Sequence, residues 1–200
     1  MWKELVSSSD FAGTSKLAES VVRTILLDLG YKERDLTYDL KQSGCFKTKR
    51  ELLDAHLEDT CASDDPFFYS QPLGSQQSPD FFVRHSSGEH ECIEVKAAKK
   101  VNAWLFNGHL IRPEFTYVLS DPITGFCVVQ GHEIMDSEVR DILLETDRKC
   151  REIAEESRAV LEKHPKNPQG WYYYVRAMYS FGKILHDEPR PIFHQERRSA

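Results

Sequence analysis

Ser78-Pro79-Asp80-Phe81-Phe82-Val83 and, after a polar stretch, Cys92-Ile93-Glu94-Val95-Lys96 are the residues on which the reading of this chain turns. Two apolar runs flank polar Arg84 to Glu91, with Ser86-Ser87-Gly88 at its centre, the pattern of two strands joined by a hairpin loop. An acidic residue opens the first run. A second acidic residue and a lysine, two positions apart, sit inside the other. Charges inside apolar strands are costly unless they are paired or bind metal. Strand side chains alternate, so Glu94 and Lys96 project together while Ile93 and Val95 point the other way. The apolar pair can then enter a core while the charged pair stays accessible. An even-length loop centred between Ser87 and Gly88 would set Asp80 opposite Val95, on the wrong face. An odd-length loop or a bulge sets it opposite Glu94 or Lys96. The expectation is an odd loop, a bulge, or an Asp80 just outside the ladder.

Two carboxylates and a lysine in such strands suggest a hydrolytic metal site acting on phosphate. Mg²⁺ takes oxygen ligands and keeps several waters, so one or two carboxylates plus a substrate phosphate suffice. Asp80 and Glu94 would supply the carboxylates, with the backbone carbonyl of Val95 as a further ligand. The metal lowers the pKa of a bound water and offsets charge on the phosphorus centre. Lys96 would orient or deprotonate that water, or stabilise the transition state; residue type alone does not choose between these roles.

Pro79-Asp80, a spacer, then Glu94-Val95-Lys96 resembles the signature of the PD-(D/E)XK nuclease superfamily, and most its type II restriction endonucleases. The likeness covers roughly residues 15–134. It implies an α/β fold with a restriction-endonuclease-like core, a central mixed β-sheet flanked by helices. It also implies Mg²⁺-dependent hydrolysis of double-stranded DNA to 5′-phosphate and 3′-hydroxyl ends. Asp80, Glu94 and Lys96 match the motif without substitution. Related nucleases often place a glutamate on the first helix, which makes Glu19 either a further metal or water ligand or simply a solvated helix carboxylate. Cutting both strands of a palindrome suits a two-fold homodimer. The alternatives are a structure-specific nuclease of DNA repair or junctions, and a non-catalytic DNA-binding module on the same fold.

Length and composition are compatible with this reading. Two hundred residues suit one domain, here a core of about 15–135 and a C-terminal helix with a strand and arm over 136–200. No apolar run is long enough for a membrane span, and the N-terminal residues lack a signal peptide's apolar stretch. The five cysteines are scattered without C-x-x-C spacing, which argues against zinc or a disulfide framework and suits a reducing cytoplasm. The net charge of −6 does not advertise DNA binding, but local positive charge matters more than the total. Candidate DNA contacts are Gln76, Lys99, Lys100, Asn107 and Arg176. Gln76 lies in a Gln/Ser/Gly stretch that is equally readable as a solvated turn.

Hydrophobic spacing predicts helices at Ser15–Leu29, Lys49–Cys61 and Val139–Leu161, the last capped by Asp136 or Ser137. That last helix is expected to pack on the sheet or on a second copy of itself. Strands are predicted to begin near Phe67 and at Phe115–Leu119, Phe126–Gln130 and Trp171–Arg176. Trp104 and Phe106 read as core residues. Tyr31 to Lys49 reads as polar and irregular, and Ile184 to His194 as an extended arm.

Overall fold

A computed structural model describes residues 14–62, 65–75, 77–99, 104–107, 110–122, 125–167, 169–175 and 178–180. The elements are α1 (Ser15–Asp28), β1 (Lys32–Arg34), α2 (Leu36–Ser43), α3 (Lys49–Glu58), β2 (Phe67–Ser70), β3 (Phe81–Arg84) and β4 (His90–Ala97). There follow β5 (Leu105–Asn107), β6 (Thr116–Asp121), β7 (Gly125–Gln130), α4 (Gly131–Ile134), α5 (Ser137–Glu162) and β8 (Met178–Ser180). Six strands form a mixed sheet in the order β1-β2-β3-β4-β6-β7, and β5 pairs with β8 in a separate two-stranded sheet. The chain is thus α/β, with helices flanking a mixed sheet. Among the described residues no helix is long and apolar enough to cross a membrane.

Strand alternation builds two cores, one on each face. Phe68, Phe81, Val83, Ile93, Val95, Val118 and Phe126 meet Ala18, Val22 and Leu26 of α1. On the other face Phe67, Tyr69, Phe82, Cys92, Tyr117 and Leu119 pack with Leu36 of α2, Leu52 and Leu53 of α3, and Trp104 and Phe106. Each fully buried large side chain contributes about 1.5–3 kcal/mol. The face that carries Glu94 and Lys96 is therefore a second core, not an open surface. This corrects the expectation of an accessible charged face: a central strand with neighbours on both sides has helices to cover both faces.

The β3–β4 hairpin has the odd register. Phe81 pairs with Ile93 and Arg84 with His90, so Asp80, one residue before β3, continues the ladder opposite Glu94. The loop is His85 to Glu89, closed by the His85 amide donating to the Glu89 carbonyl at 2.8 Å. Gly88 has φ +92°, the left-handed position of such a turn. A Cβ there would lie 2.2 Å from the Thr60 carbonyl oxygen. Gly88→Ala is therefore expected to destabilise by more than the ~1–2 kcal/mol left-handed penalty alone, read as a lower urea midpoint. An unchanged midpoint would show that this approach relaxes freely.

Arg84 belongs to β3, not to the loop, and is only 3% exposed. It donates to the His56 carbonyl at 3.1 Å, to the Asp59 carbonyl, and to the Cys61 carbonyl at 2.8 Å. These groups end α3 and follow it, where backbone carbonyls lack helical partners. Nearby, the Tyr69 hydroxyl donates to Asp39 at 2.7 Å and lies 3.1 Å from His56 Nε2. Burial, with Arg34 and Arg84 close by, holds the His56 imidazole below its usual pKa.

The segment read as irregular contains two elements. All three β1 residues are charged or polar and exposed, so no alternation marks the strand. Parallel pairing with β2, Lys32 beside Phe67, creates it. In α2 the Asp35 side chain caps the Thr37 amide at 2.7 Å, and Gly44 ends the helix at φ 63°. Between the parallel strands β4 and β6 the described residues carry β5 and loops. Trp104 and Phe106 are buried there, as their composition suggested.

Helix α5 is capped by Asp136, which accepts from the Glu138 amide at 2.8 Å. Ala154 is its buried residue, while Val139, Ile142, Ile153 and Val160 stay exposed. The helix thus leaves most of its apolar stripe uncovered, and none of its residues joins either core among the described residues, although Arg140 donates to the Ile111 carbonyl at 3.2 Å. Trp171 to Val175 is not a strand; the strand of this region is β8 at Met178–Ser180. Aromatic side chains favour a strand only where a neighbouring strand pairs with it. Residues 1–13 and 181–200, with the arm expected at 184–194, lie outside the described residues.

Candidate active site

The site is assembled where β3 begins and β4 runs towards its end. Burial along β4 loosens from Ile93, Glu94 and Val95 to half-buried Lys96 and Ala97. One step before β3, the Asp80 carboxylate bends to accept the Val95 amide at 2.8 Å. Residues 93 and 95 present their backbone groups to the β3 side, and β3 ends opposite Ile93. The Asp80 side chain thus takes the place of a missing ladder partner. An amide and carbonyl of one strand residue point to the same side, so the Val95 carbonyl also faces Asp80.

Glu94 is 9% exposed, and both its oxygens are engaged. Lys96 Nζ lies 2.5 Å from Glu94 Oε1, and Ser78 Oγ donates to Glu94 Oε2 at 2.7 Å. Ser78 is itself buried and precedes a cis Ser78–Pro79 peptide bond. Glu19 reaches the same region from α1. The Gln71 side-chain amide donates to Glu19 Oε2 at 2.9 Å, while the Gln71 backbone amide donates to the Asp80 carbonyl at 2.6 Å. Gln71 adopts φ 45°, which places its backbone and side chain on these two partners.

Electrostatics follow from crowding. Burial, then the charge of Glu94, pushes the Asp80 carboxyl up to about 7, and Glu19 adds to the rise. The Val95 amide and Lys96 oppose it. Like charges in a poorly solvated place disfavour joint ionisation. A cation placed between the carboxylates reverses that balance.

Four of the residues singled out from the sequence, Glu19, Asp80, Glu94 and Lys96, converge here, and the Val95 backbone joins them. Lys99 is exposed beyond the end of β4. Gln76, Lys100 and Arg176 lie outside the described residues, as does the side chain of Asn107. Sequence reasoning missed Ser78 and Gln71 as supporting residues. Ser78 had one signal, its place before the Pro79-Asp80 pair. Gln71 had none, since its role depends on the left-handed turn and on the approach of α1.

Among the described residues no three His, Cys, Asp or Glu side chains are grouped so as to hold a metal ion by themselves. The oxygen donors present, Asp80, Glu94 and the Val95 carbonyl, fit a hard cation that completes its shell with water and a substrate phosphate. Comparison of the chain with protein-family models, with curated proteins and with solved structures finds no match.

Proposed function

We propose that the chain is a Mg²⁺-dependent endodeoxyribonuclease of the PD-(D/E)XK type, built on a restriction-endonuclease-like core. In this reading it is a site-specific type II restriction enzyme cutting double-stranded DNA as a homodimer. The observation that carries it is the register: Asp80 continues the ladder opposite Glu94, with Lys96 on the Glu94 carboxylate. A bare Asp…Glu-x-Lys pattern would leave these groups scattered. Here one strand end, one helix and one buried serine support them.

Asp80 and Glu94 would hold Mg²⁺, with the Val95 carbonyl beside them. The bound ion would supply an activated water and offset charge on the phosphate. Residues of the chain do the remaining work. The Val95 amide orients Asp80, and Ser78 orients Glu94. Lys96 keeps its ammonium near the Glu94 carboxylate, where it can orient the attacking water or stabilise the charged transition state. Gln71 holds Glu19 within range of Asp80, where it would bind a water of the ion's shell. Because Asp80 holds a proton up to about pH 7, the metal competes with that proton at lower pH.

Incubation with a large plasmid or phage DNA, with Mg²⁺ and with EDTA, tests the reading. Discrete fragments only with Mg²⁺ support a site-specific enzyme. A smear supports a nuclease without site preference, and intact DNA on linear, branched and methylated substrates refutes deoxyribonuclease activity. Lys96→Ala is expected to lower the cleavage rate by about 10²–10⁴-fold, the range of acid–base or charge stabilisation. Mg²⁺ affinity by calorimetry should change far less. An equal loss in both would make Lys96 a support of the metal site.

A further inference from the structure

Four consecutive aromatic side chains stand on the surface just after α5. Trp171, Tyr172, Tyr173 and Tyr174 are 75%, 53%, 65% and 72% exposed. Such a run is costly in water unless something covers it in use. The segment is nevertheless held in place. Asn167 accepts from the Trp171 amide at 2.9 Å and donates to the Trp171 carbonyl at 2.9 Å and the Leu161 carbonyl at 3.0 Å. Arg158 of α5 places its guanidinium 4.8 Å from the Tyr172 ring centre. The aromatics are therefore anchored at both Trp171 and Tyr172, with ring surface still open.

The turn before the aromatic run is basic, unlike the chain as a whole. Arg158 is paired with Glu162 at 2.8 Å, and from Lys163 to Val175 the only charged residues are Lys163 and Lys166. Lys163 and Lys166 are exposed in the turn that leads into the aromatic run. An apolar protein partner would have to cover these cations at a cost. A flexible anionic chain carrying flat bases complements both features at once. Rings stack on bases without regard to sequence, and lysines neutralise phosphates.

We propose that Trp171, Tyr173 and Tyr174, with Lys163 and Lys166, form a binding platform for single-stranded nucleic acid. The full-length protein is titrated into 5′-fluorescein-labelled dT20 in EDTA, and anisotropy is followed as salt is varied. Wild type should bind. W171A/Y173A should lose at least tenfold in affinity, and W171F/Y173F should retain most of it, because phenylalanine rings still stack. K163Q/K166Q should reduce the slope of log affinity against log salt by about 1.4, at roughly 0.7 per phosphate contact on a single strand. Quenching of indole emission by unlabelled dT20 in wild type, lost in W171F, reads the same contact without any alanine variant. No binding by wild type, or unchanged quenching in W171F, overturns the proposal. So does wild-type affinity in folded W171A/Y173A, or self-association through these residues in place of binding. Binding in EDTA is independent of cleavage, so this test and the nuclease test fail separately.

Discussion

Asp80→Asn is expected to remove Mg²⁺-dependent DNA cleavage while making the metal-free protein more stable at pH 8. The catalytic half follows from ligand chemistry. Asparagine still accepts the Val95 amide bond, so geometry is kept, but it brings no charge to the cation. Losing several kcal/mol of metal-derived stabilisation corresponds to ~10³-fold or more in rate. Cleavage at the wild-type rate would remove Asp80 from the site.

The stability half follows from linkage. The Asp80 carboxyl is raised to about 7, above its unfolded value, mainly by burial and then by Glu94. Between about pH 4 and 7 the folded protein binds a proton that the unfolded chain does not. Stability from this group therefore falls as pH rises through that window, and its full cost applies above about 7. The displacement sets an upper limit of about 4 kcal/mol at 1.36 kcal/mol per pH unit. Partial solvation and coupling to Glu94 reduce that to ~1–3 kcal/mol. Urea unfolding in EDTA should show Asp80→Asn more stable than wild type at pH 8, with the gap closing towards pH 4. Mg²⁺ should raise the stability of wild type and leave the variant little changed. A variant less stable than wild type at pH 8 would mean that Asp80 is ionised at little cost.

Arg84→Met is expected to cost ~2–5 kcal/mol, from several backbone carbonyls left without their donor at about 1–3 kcal/mol for each that stays buried and unsatisfied. Methionine keeps most of the stem, so the loss isolates the guanidinium. Without it the carbonyls of His56, Asp59 and Cys61 lose their donor, and the 3.2 Å pair with Asp59 is gone. Because whole domains hold only about 5–15 kcal/mol, such a loss should lower the thermal midpoint sharply. Asp80 precedes β3 and Arg84 ends it, so loosening Arg84 also threatens the register on which the site depends. A change under about 1 kcal/mol would show that water replaces the guanidinium at these carbonyls.

Much of this architecture was legible in local pattern. The stripe Val22-Leu26 marked α1, Leu52 and Leu53 marked α3, and Val139 onward marked α5. Alternation and turn residues marked the β3–β4 hairpin and the β6–β7 pair. The demand that Asp80 share a side with Glu94 or Lys96 pointed to an odd register, which the Phe81–Ile93 pairing realises. Short elements escaped. In β1 the residues Lys32-Glu33-Arg34 offer no apolar alternation, and only the neighbouring Phe67-Phe68-Tyr69 makes them a strand. For α2 the signals Asp35 and Gly44 were present but outweighed by a polar composition.

What the sequence by itself determined is the local chemistry: which residues alternate, which spacing winds into helix, and which carboxylates and lysine fall on two neighbouring strands of one hairpin. These depend on periods of a few residues, set by backbone geometry. Only the tertiary structure decided that Arg84 is buried under the end of α3, that Gln71 ties α1 to Asp80, and that both faces of the sheet are cores. It likewise decided that Trp171 to Tyr174 stand exposed, with the strand of that region further on. Each of these outcomes depends on partners distant along the chain, and a buried cation or an uncovered ring is defined by what lies across from it in space.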